Sequence, residues 1–343
     1  MSWGSVRGHD RVVATLRLAV EQGRLPHAFL FAGPEGIGKR TFALRLAQAL
    51  LCRRNPESQL DPCSACPACL QVEAGSHPDV LNLARPEDRQ ELPIRVIRDL
   101  CLDLGLKPMA GTRRVAIVDD ADDLSDEAAN AFLKTLEEPP PGSVLILIGT
   151  SAEVPLETIV SRCRVVRFDP LPEAELAAVL LEKGAAANPD EAARLAAFGE
   201  GSVTRALGLA DAELETFRRA LIDEVAGPRG FDPPALARKL EAFIGEAGKE
   251  SAARRARASL LAVELARLFR GALWASAGLT PPSPDPADRT AMAAVAARLD
   301  PEAAIALAER CLEADRQIGR NAYLPLILDA WTHDLGHLAL PRG

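Results

Sequence analysis

Aromatic side chains are scarce in this 343-residue chain, at 4% of positions with a single tyrosine. That excludes the kind of stacking platform on which single-stranded nucleic acid is held. No apolar run is long enough to span a bilayer, and the first residues, MSWGSVRGHDR, lack the apolar centre of a secretory leader. The expectation is therefore a cytoplasmic protein with no membrane partner. Positive charge is not in excess either. The 40 Lys and Arg face 48 Asp and Glu, a net charge of −8, which argues against strong non-specific DNA binding by the isolated chain. The seven cysteines are an odd number, and without an export signal a metal is expected before disulfides. No repeat of fixed period occurs. What remains is the composition of a globular protein, 48% hydrophobic and 26% charged, in a chain long enough for two or three domains.

The stretch from Asp119 to Pro141 organises the rest. Before it Val115–Val118 reads as a buried parallel strand, and after it Val144–Ile148 reads as a second. Between them Ser125 is a candidate N-cap, Asp126 and Glu127 favour the positive end of a helix, and Ala128, Ala129, Phe132, Leu133 and Leu136 mark an apolar face. Pro139 forbids continuation. Two acidic residues, Asp119 and Asp120, thus sit where the first strand ends, the edge at which open α/β sheets bind ligands. Alone they could be a solvated turn. Upstream, however, strand Ala28–Ala32 runs into Gly33, Gly36, Gly38 and Lys39 and then a helix from Arg40 to Leu51, the context of a phosphate loop. An acidic pair downstream of such a loop can hold the metal of a nucleoside triphosphate.

The loop has a defect. Mg²⁺ needs a hydroxyl directly after the lysine, but Arg40 stands there and Thr41 comes one residue late, a rotation of about 100° on a helix. Arg40 could instead lend its charge to phosphate. Mg²⁺-assisted ATP hydrolysis in this site is expected to be impaired, and whether ATP binds stays open. Thr150, at the end of the later strand, could sense a γ-phosphate or belong to an ordinary turn.

Cys52 and the tight triplet Cys63, Cys66 and Cys69 suit a structural, tetrahedral Zn²⁺, with Cys52 the less certain ligand. Cys101, Cys163 and Cys311 read as small core residues, and His77 as structural. Leu92–Leu104 reads as an amphipathic helix. Beyond Asp169-Pro170-Leu171-Pro172 the composition turns Ala- and Leu-rich and helical throughout. Ala253–Trp274 carries the longest pattern, with Arg254, Arg255, Arg257, Arg267 and Arg270 expected on a solvated or subunit-facing side. Ala277–Asp288 is expected as a loop, and Pro301–Arg316 and Leu324–Leu340 as closing helices.

Taken together, Leu25–Phe31, the loop Gly33–Lys39, the cysteine cluster, His77-Pro78-Asp79, the segment Asn130–Pro140 and Ser161-Arg162-Cys163 resemble the clamp-loader subunits of bacterial DNA polymerase III, in the AAA+ class. The resemblance covers roughly the first half of the chain. It implies an α/β AAA+ P-loop domain with a parallel sheet and a zinc module over residues 1–169, a small helical lid over 170–209 and a helical collar for oligomerisation over 210–343. It also implies partners: other loader subunits in a hetero-pentameric ring, a sliding clamp, and primed DNA through the assembled complex. In this family the motor subunits carry Thr at the place of Arg40, Glu at the place of Asp120 and Arg at the place of Thr204. Three departures in one ATP site imply a non-hydrolysing member, an accessory subunit of a DNA-directed DNA polymerase (nucleotidyltransferase) complex in replication. Arg162, by the same resemblance, projects into a neighbour's ATP site. Two other readings stay open: an active motor of the gamma/tau kind, favoured by Lys39 and Asp119, and a zinc-knuckle nucleic-acid module, disfavoured by the scarcity of aromatics and the acidic charge.

Overall fold

The computed structural model describes all residues except 1, 2, 5, 87, 88, 90, 154–156, 229, 249, 321 and 340–343. The chain divides into two compact units, Met1–Thr204 and Arg205–Gly343.

In the first unit the elements run α1 (Asp10–Glu21), β1 (Ala28–Ala32), α2 (Lys39–Leu51), α3 (Pro67–Glu73), β2 (Val80–Leu83), α4 (Ile94–Leu104), β3 (Arg114–Val118), α5 (Asp126–Glu137), β4 (Ser143–Gly149), α6 (Glu157–Val160) and β5 (Arg164–Arg167). Two further helices, α7 (Glu173–Glu182) and α8 (Pro189–Gly199), complete it, and α9 (Val203–Leu209) begins there. The five strands form one parallel sheet in the order β2-β3-β4-β1-β5. β1 lies between β4 and β5, with Ala28 opposite Leu145 and Phe29 opposite Arg164.

The three inner strands are buried at every position, because helices cover both faces of the sheet. The pleat sorts their side chains. Phe29, Phe31, Val115, Ile117 and Ile146 pack with Phe42 and Leu46 of α2 and Val13 and Leu16 of α1. Leu30, Ala116, Val118, Leu145 and Leu147 pack with Ile97 and Leu100 of α4, Phe132 and Leu136 of α5 and Ile159 of α6. α5 begins where the sequence places it: the Ser125 hydroxyl accepts from Ala128 N at 3.2 Å.

The second unit holds α10 (Ala212–Ala226), α11 (Pro233–Gly245), α12 (Ser251–Ser276), α13 (Pro286–Ala296), α14 (Pro301–Gly319) and α15 (Leu324–Leu338). The end of the closing helix read from the sequence, Leu340, lies outside the described residues. Two expectations change. The stretch 277–288 is not all loop: Asp285 caps α13 through Ala287 N at 2.8 Å, and Pro286 takes the first helical position, which needs no N–H donor. The arginines of α12 do not form one solvated side. Arg267 is buried, Arg255 donates to Ile318 O at 2.8 Å and Ala322 O at 3.0 Å, and Arg257 stacks on Phe243 at 4.5 Å and donates to its carbonyl. At the centre of this unit the fully buried Arg218 donates to Glu215 at 2.8 Å and to Asp288 at 3.2 Å, with Glu264 at 3.4 Å; Glu264 also accepts from Arg205 at 2.6 Å. Among the described residues no helix is long and apolar enough to cross a membrane.

Candidate functional site

β1, β3 and β4 end at one edge of the sheet, so the segments after Ala32, Val118 and Gly149 lie side by side; Gly33 N donates to Gly149 O at 3.4 Å. The loop after β1 turns through Gly36 (φ 74°) and Gly38 (φ 94°), a backbone region that side chains disfavour. Lys39 opens α2 with its side chain buried. Its Nζ donates to the loop's own carbonyls, Gly33 O and, at 2.6 Å, Pro34 O, and burial pushes its pKa below the ordinary lysine value.

Arg40 reaches across to the acidic turn and donates to Asp119 Oδ2 at 2.6 Å. The two residues that would flank a metal in this site are therefore bonded to each other. Thr41 is exposed on α2. Asp120 adopts a left-handed backbone (φ 54°), accepts from Arg85 N at 3.2 Å, and has its pKa raised, chiefly by burial. Thr150 is engaged as well: its N–H and hydroxyl donate to Asp122 Oδ2 at 2.6 and 2.7 Å. The segment before α9 closes on the phosphate loop. Val203 N donates to Gly36 O at 2.8 Å, and a Cβ at Gly36 would stand 2.3 Å from Ser202 Oγ and 2.9 Å from Thr204. Beneath the loop, His9 Nε2 lies 2.8 Å from Ile37 O, its ring packed against Phe42 and Phe168.

The structure thus brings Gly33, Gly36, Gly38, Lys39, Arg40, Asp119 and Thr204 into one neighbourhood and turns Asp120 toward Arg85. Sequence reasoning missed the parts of His9 and Asp122. Neither belongs to a local motif, and only the fold makes them neighbours of the loop and of Thr150.

The sulfurs of Cys52, Cys63, Cys66 and Cys69 all lie within 4.8 Å of one another, and those of Cys63 and Cys69 are 4.0 Å apart. Zn–S bonds of about 2.3 Å in a tetrahedron place sulfurs about 3.8 Å apart, so the donor set fits such an ion closely. Cys52 follows the last turn of α2 and Cys66 caps α3, so the cluster ties these two helices together. Backbone N–H groups already point at sulfur, from Asn55 to Cys52 at 3.4 Å and from Cys66 to Cys63 at 3.3 Å, the polarity that a thiolate requires. Burial opposes the charged form of Cys66, yet backbone N–H groups and neighbouring thiols bring its pKa down to about 6, while burial drives Cys69 upward. These four residues could hold a metal ion. Cys311 is buried and Cys101 and Cys163 are half-buried; burial pushes the Cys163 thiol up to about 12.

Arg162 follows α6, well away in sequence from the phosphate loop. Its Nε donates to Glu137 Oε1 at 2.7 Å, Nη2 donates to the same oxygen, and Nη1 donates to Thr158 O at 2.9 Å and Ser161 Oγ at 3.2 Å.

A parallel sheet in this order, with a glycine loop after β1 and an acidic turn after β3, is the arrangement of a P-loop α/β domain. Residues 8–172 match the family described as "DNA polymerase III, delta subunit". The chain is 34% identical over 174 residues to the DNA polymerase III subunit delta' of Bacillus subtilis (50% of this chain, 51% of the relative) and 43% identical over 169 residues to that of Pseudomonas aeruginosa (49% of each). It is also 40% identical over 165 residues to the Bacillus subtilis tau subunit, covering 48% of this chain and 28% of the relative. A solved gamma-subunit-related protein from Thermotoga maritima aligns over 96% of this chain and 99% of its own, at 20% identity and a TM-score of 0.46. Residues 8–172 are thus similar to the delta-subunit family of DNA polymerase III, and the chain resembles both delta' and tau subunits. It spans about half the length of the delta' relatives it matches.

Proposed function

We propose that this chain is a stator of a DNA polymerase III clamp loader: a ring subunit that does not hydrolyse ATP in its own site and lends Arg162 to the ATP site of a neighbouring subunit while the sliding clamp is set on primed DNA. The observation that carries this reading is the 2.6 Å ion pair between Arg40 and Asp119. Phosphoryl transfer depends on a divalent ion held beside the phosphate loop. Here a guanidinium stands where the hydroxyl ligand belongs and is bonded to the carboxylate that would hold the ion. Lys39, bonded to its own loop, and Thr204, packed on Gly36, support the same reading. Arg162 is bonded outside the phosphate loop, to Glu137, Thr158 and Ser161. A guanidinium supplied in trans stabilises the charge that develops on the transferring phosphoryl group, an effect worth roughly 10³–10⁵ in rate in related systems. The three-part division at residues 169 and 209 belongs to this proposal, with the last part forming the ring's collar.

Reconstitution with the ATPase subunits, clamp and DNA tests it. Arg162→Ala should assemble normally yet lower clamp- and DNA-stimulated ATP hydrolysis, whereas Lys39→Ala should leave it nearly unchanged. The reverse pattern would favour an active motor of the gamma/tau kind, the second reading that the tau similarity supports.

The cysteine cluster, in this proposal, holds one structural Zn²⁺ with no open position for catalysis, the ligands being Cys52, Cys63, Cys66 and Cys69. Elemental analysis of the purified chain should find one zinc per chain, lost in Cys66→Ser. Metal content unchanged by that substitution would overturn the assignment.

A further inference from the structure

Glu137 is not accounted for by the reading above. It is the last residue of α5 and is rigidly placed. Leu136 beside it is buried, the carbonyl of Leu136 is bonded by His27 Nε2 at 2.9 Å, and Pro139 stops the chain from continuing as helix. From this fixed point its carboxylate takes the Arg162 guanidinium side-on through Nε and Nη2. Thr158 O and Ser161 Oγ hold Nη1 from the other side. Among the described residues these contacts engage four of the five N–H directions of the guanidinium, which leaves one Nη2–H at the open edge. The pair is half-exposed, with side chains 32% and 50% accessible, so it contributes little to folding. Its effect is on geometry: a long side chain with many rotamers is held in one orientation at the domain surface.

We propose that Glu137 is the positioning residue for Arg162, presenting the Nη2 edge of the guanidinium to the phosphates bound by the adjacent subunit. This rests on the trans role of Arg162. Holding the donor before the neighbour docks removes the rotamer search from the catalytic step, so the benefit falls on turnover rather than on nucleotide affinity. One carboxylate lowers the net charge at the site, and the gain in orientation outweighs that loss.

The test compares loaders reconstituted with the full chain carrying Glu137→Ala, Glu137→Gln, Arg162→Ala or the double change Glu137→Ala/Arg162→Ala, each first checked for assembly by size exclusion. Glu137→Ala should lower kcat for clamp-stimulated hydrolysis roughly three- to tenfold with KM for ATP unchanged. Glu137→Gln, whose amide oxygen still accepts Nε–H, should restore more than half of it. The double change should be no worse than Arg162→Ala alone. In the free chain, the Arg162 Nε–H resonance should be slow to exchange, lost in Glu137→Ala and kept in Glu137→Gln. If Arg162→Ala is impaired while Glu137→Ala turns over at the unmodified rate, or if the two effects multiply, Glu137 is only a surface ion pair. If Arg162→Ala itself is silent, the trans role fails first and this inference with it.

Discussion

Replacing Arg40 by threonine removes the ion pair with Asp119 and restores the hydroxyl that a metal needs, so its outcome weighs most on the stator reading. Arg40 is 50% accessible and Asp119 22%, an exposure at which an ion pair is worth no more than about 1 kcal/mol. The unliganded Arg40→Thr chain should therefore lose under about 1 kcal/mol, a drop in Tm of about 2–4 °C at most for a cooperative unit the size of Met1–Thr204. Mg-nucleotide binding to the unmodified chain must break the same pair, a penalty of up to about 1 kcal/mol, or roughly fivefold in Kd. At saturating nucleotide a fivefold gain in affinity returns about 1 kcal/mol of stabilisation. Thermal unfolding of both chains in low salt, with ATP plus either Mg²⁺ or EDTA, separates these contributions. Arg40→Thr should gain more from Mg-ATP than the unmodified chain does, and should lose that advantage in EDTA. Steady hydrolysis should stay negligible, because Asp120 remains turned to Arg85 and Thr204 remains on Gly36. Equal Mg²⁺-dependent shifts in the two chains would refute the claim that the ion pair stands in the way of the metal.

Two further predictions concern the fold. Phe132→Ala empties a fully buried position under β3 and β4 and should cost about 3–5 kcal/mol, read as a lower urea midpoint at unchanged slope. Burial works against the Asp79 carboxylate, but N–H groups of Met109, Ala110 and Gly111 at 2.6–3.0 Å hold its pKa below the ordinary aspartate value. A depressed folded pKa adds stability that is present above the unfolded value, about 3.9, and is lost as pH falls through the folded one. Acid unfolding of Asp79→Asn should accordingly show a shallower loss below about pH 4 than the unmodified chain; superimposable acid limbs would contradict this.

The elements around the phosphate loop were legible because they are locally written. β1, β3 and β4 are short β-branched or aromatic runs, and α5 carries its cap at Ser125 and its stop at Pro139. Arg40 was legible as a defect, but not as the partner of Asp119, since a contact across 79 residues has no local pattern. The same holds for Asp122 with Thr150 and for His9 under Ile37. In α12 the arginines looked solvated because a positive charge normally is. What a sequence pattern cannot weigh is a carbonyl or a ring on another helix, as Phe243 is for Arg257. The start of α13 was misread for a different reason: Asp285-Pro286 is a helix-start signal embedded in a Pro- and Ser-rich run that looks like loop.

The buried cluster around Arg218 also limits how this chain can vary over generations. One cation there faces Glu215, Glu264 and Asp288, and Glu264 is shared with Arg205. Removing Arg218 strands buried carboxylates, Asp288 above all, at a cost of about 3–5 kcal/mol, whereas replacing the whole group by apolar side chains of similar volume can be neutral. Arg218 and its carboxylates on α10, α12 and α13 should therefore be inherited together, the cation lost only when its partners are exchanged with it.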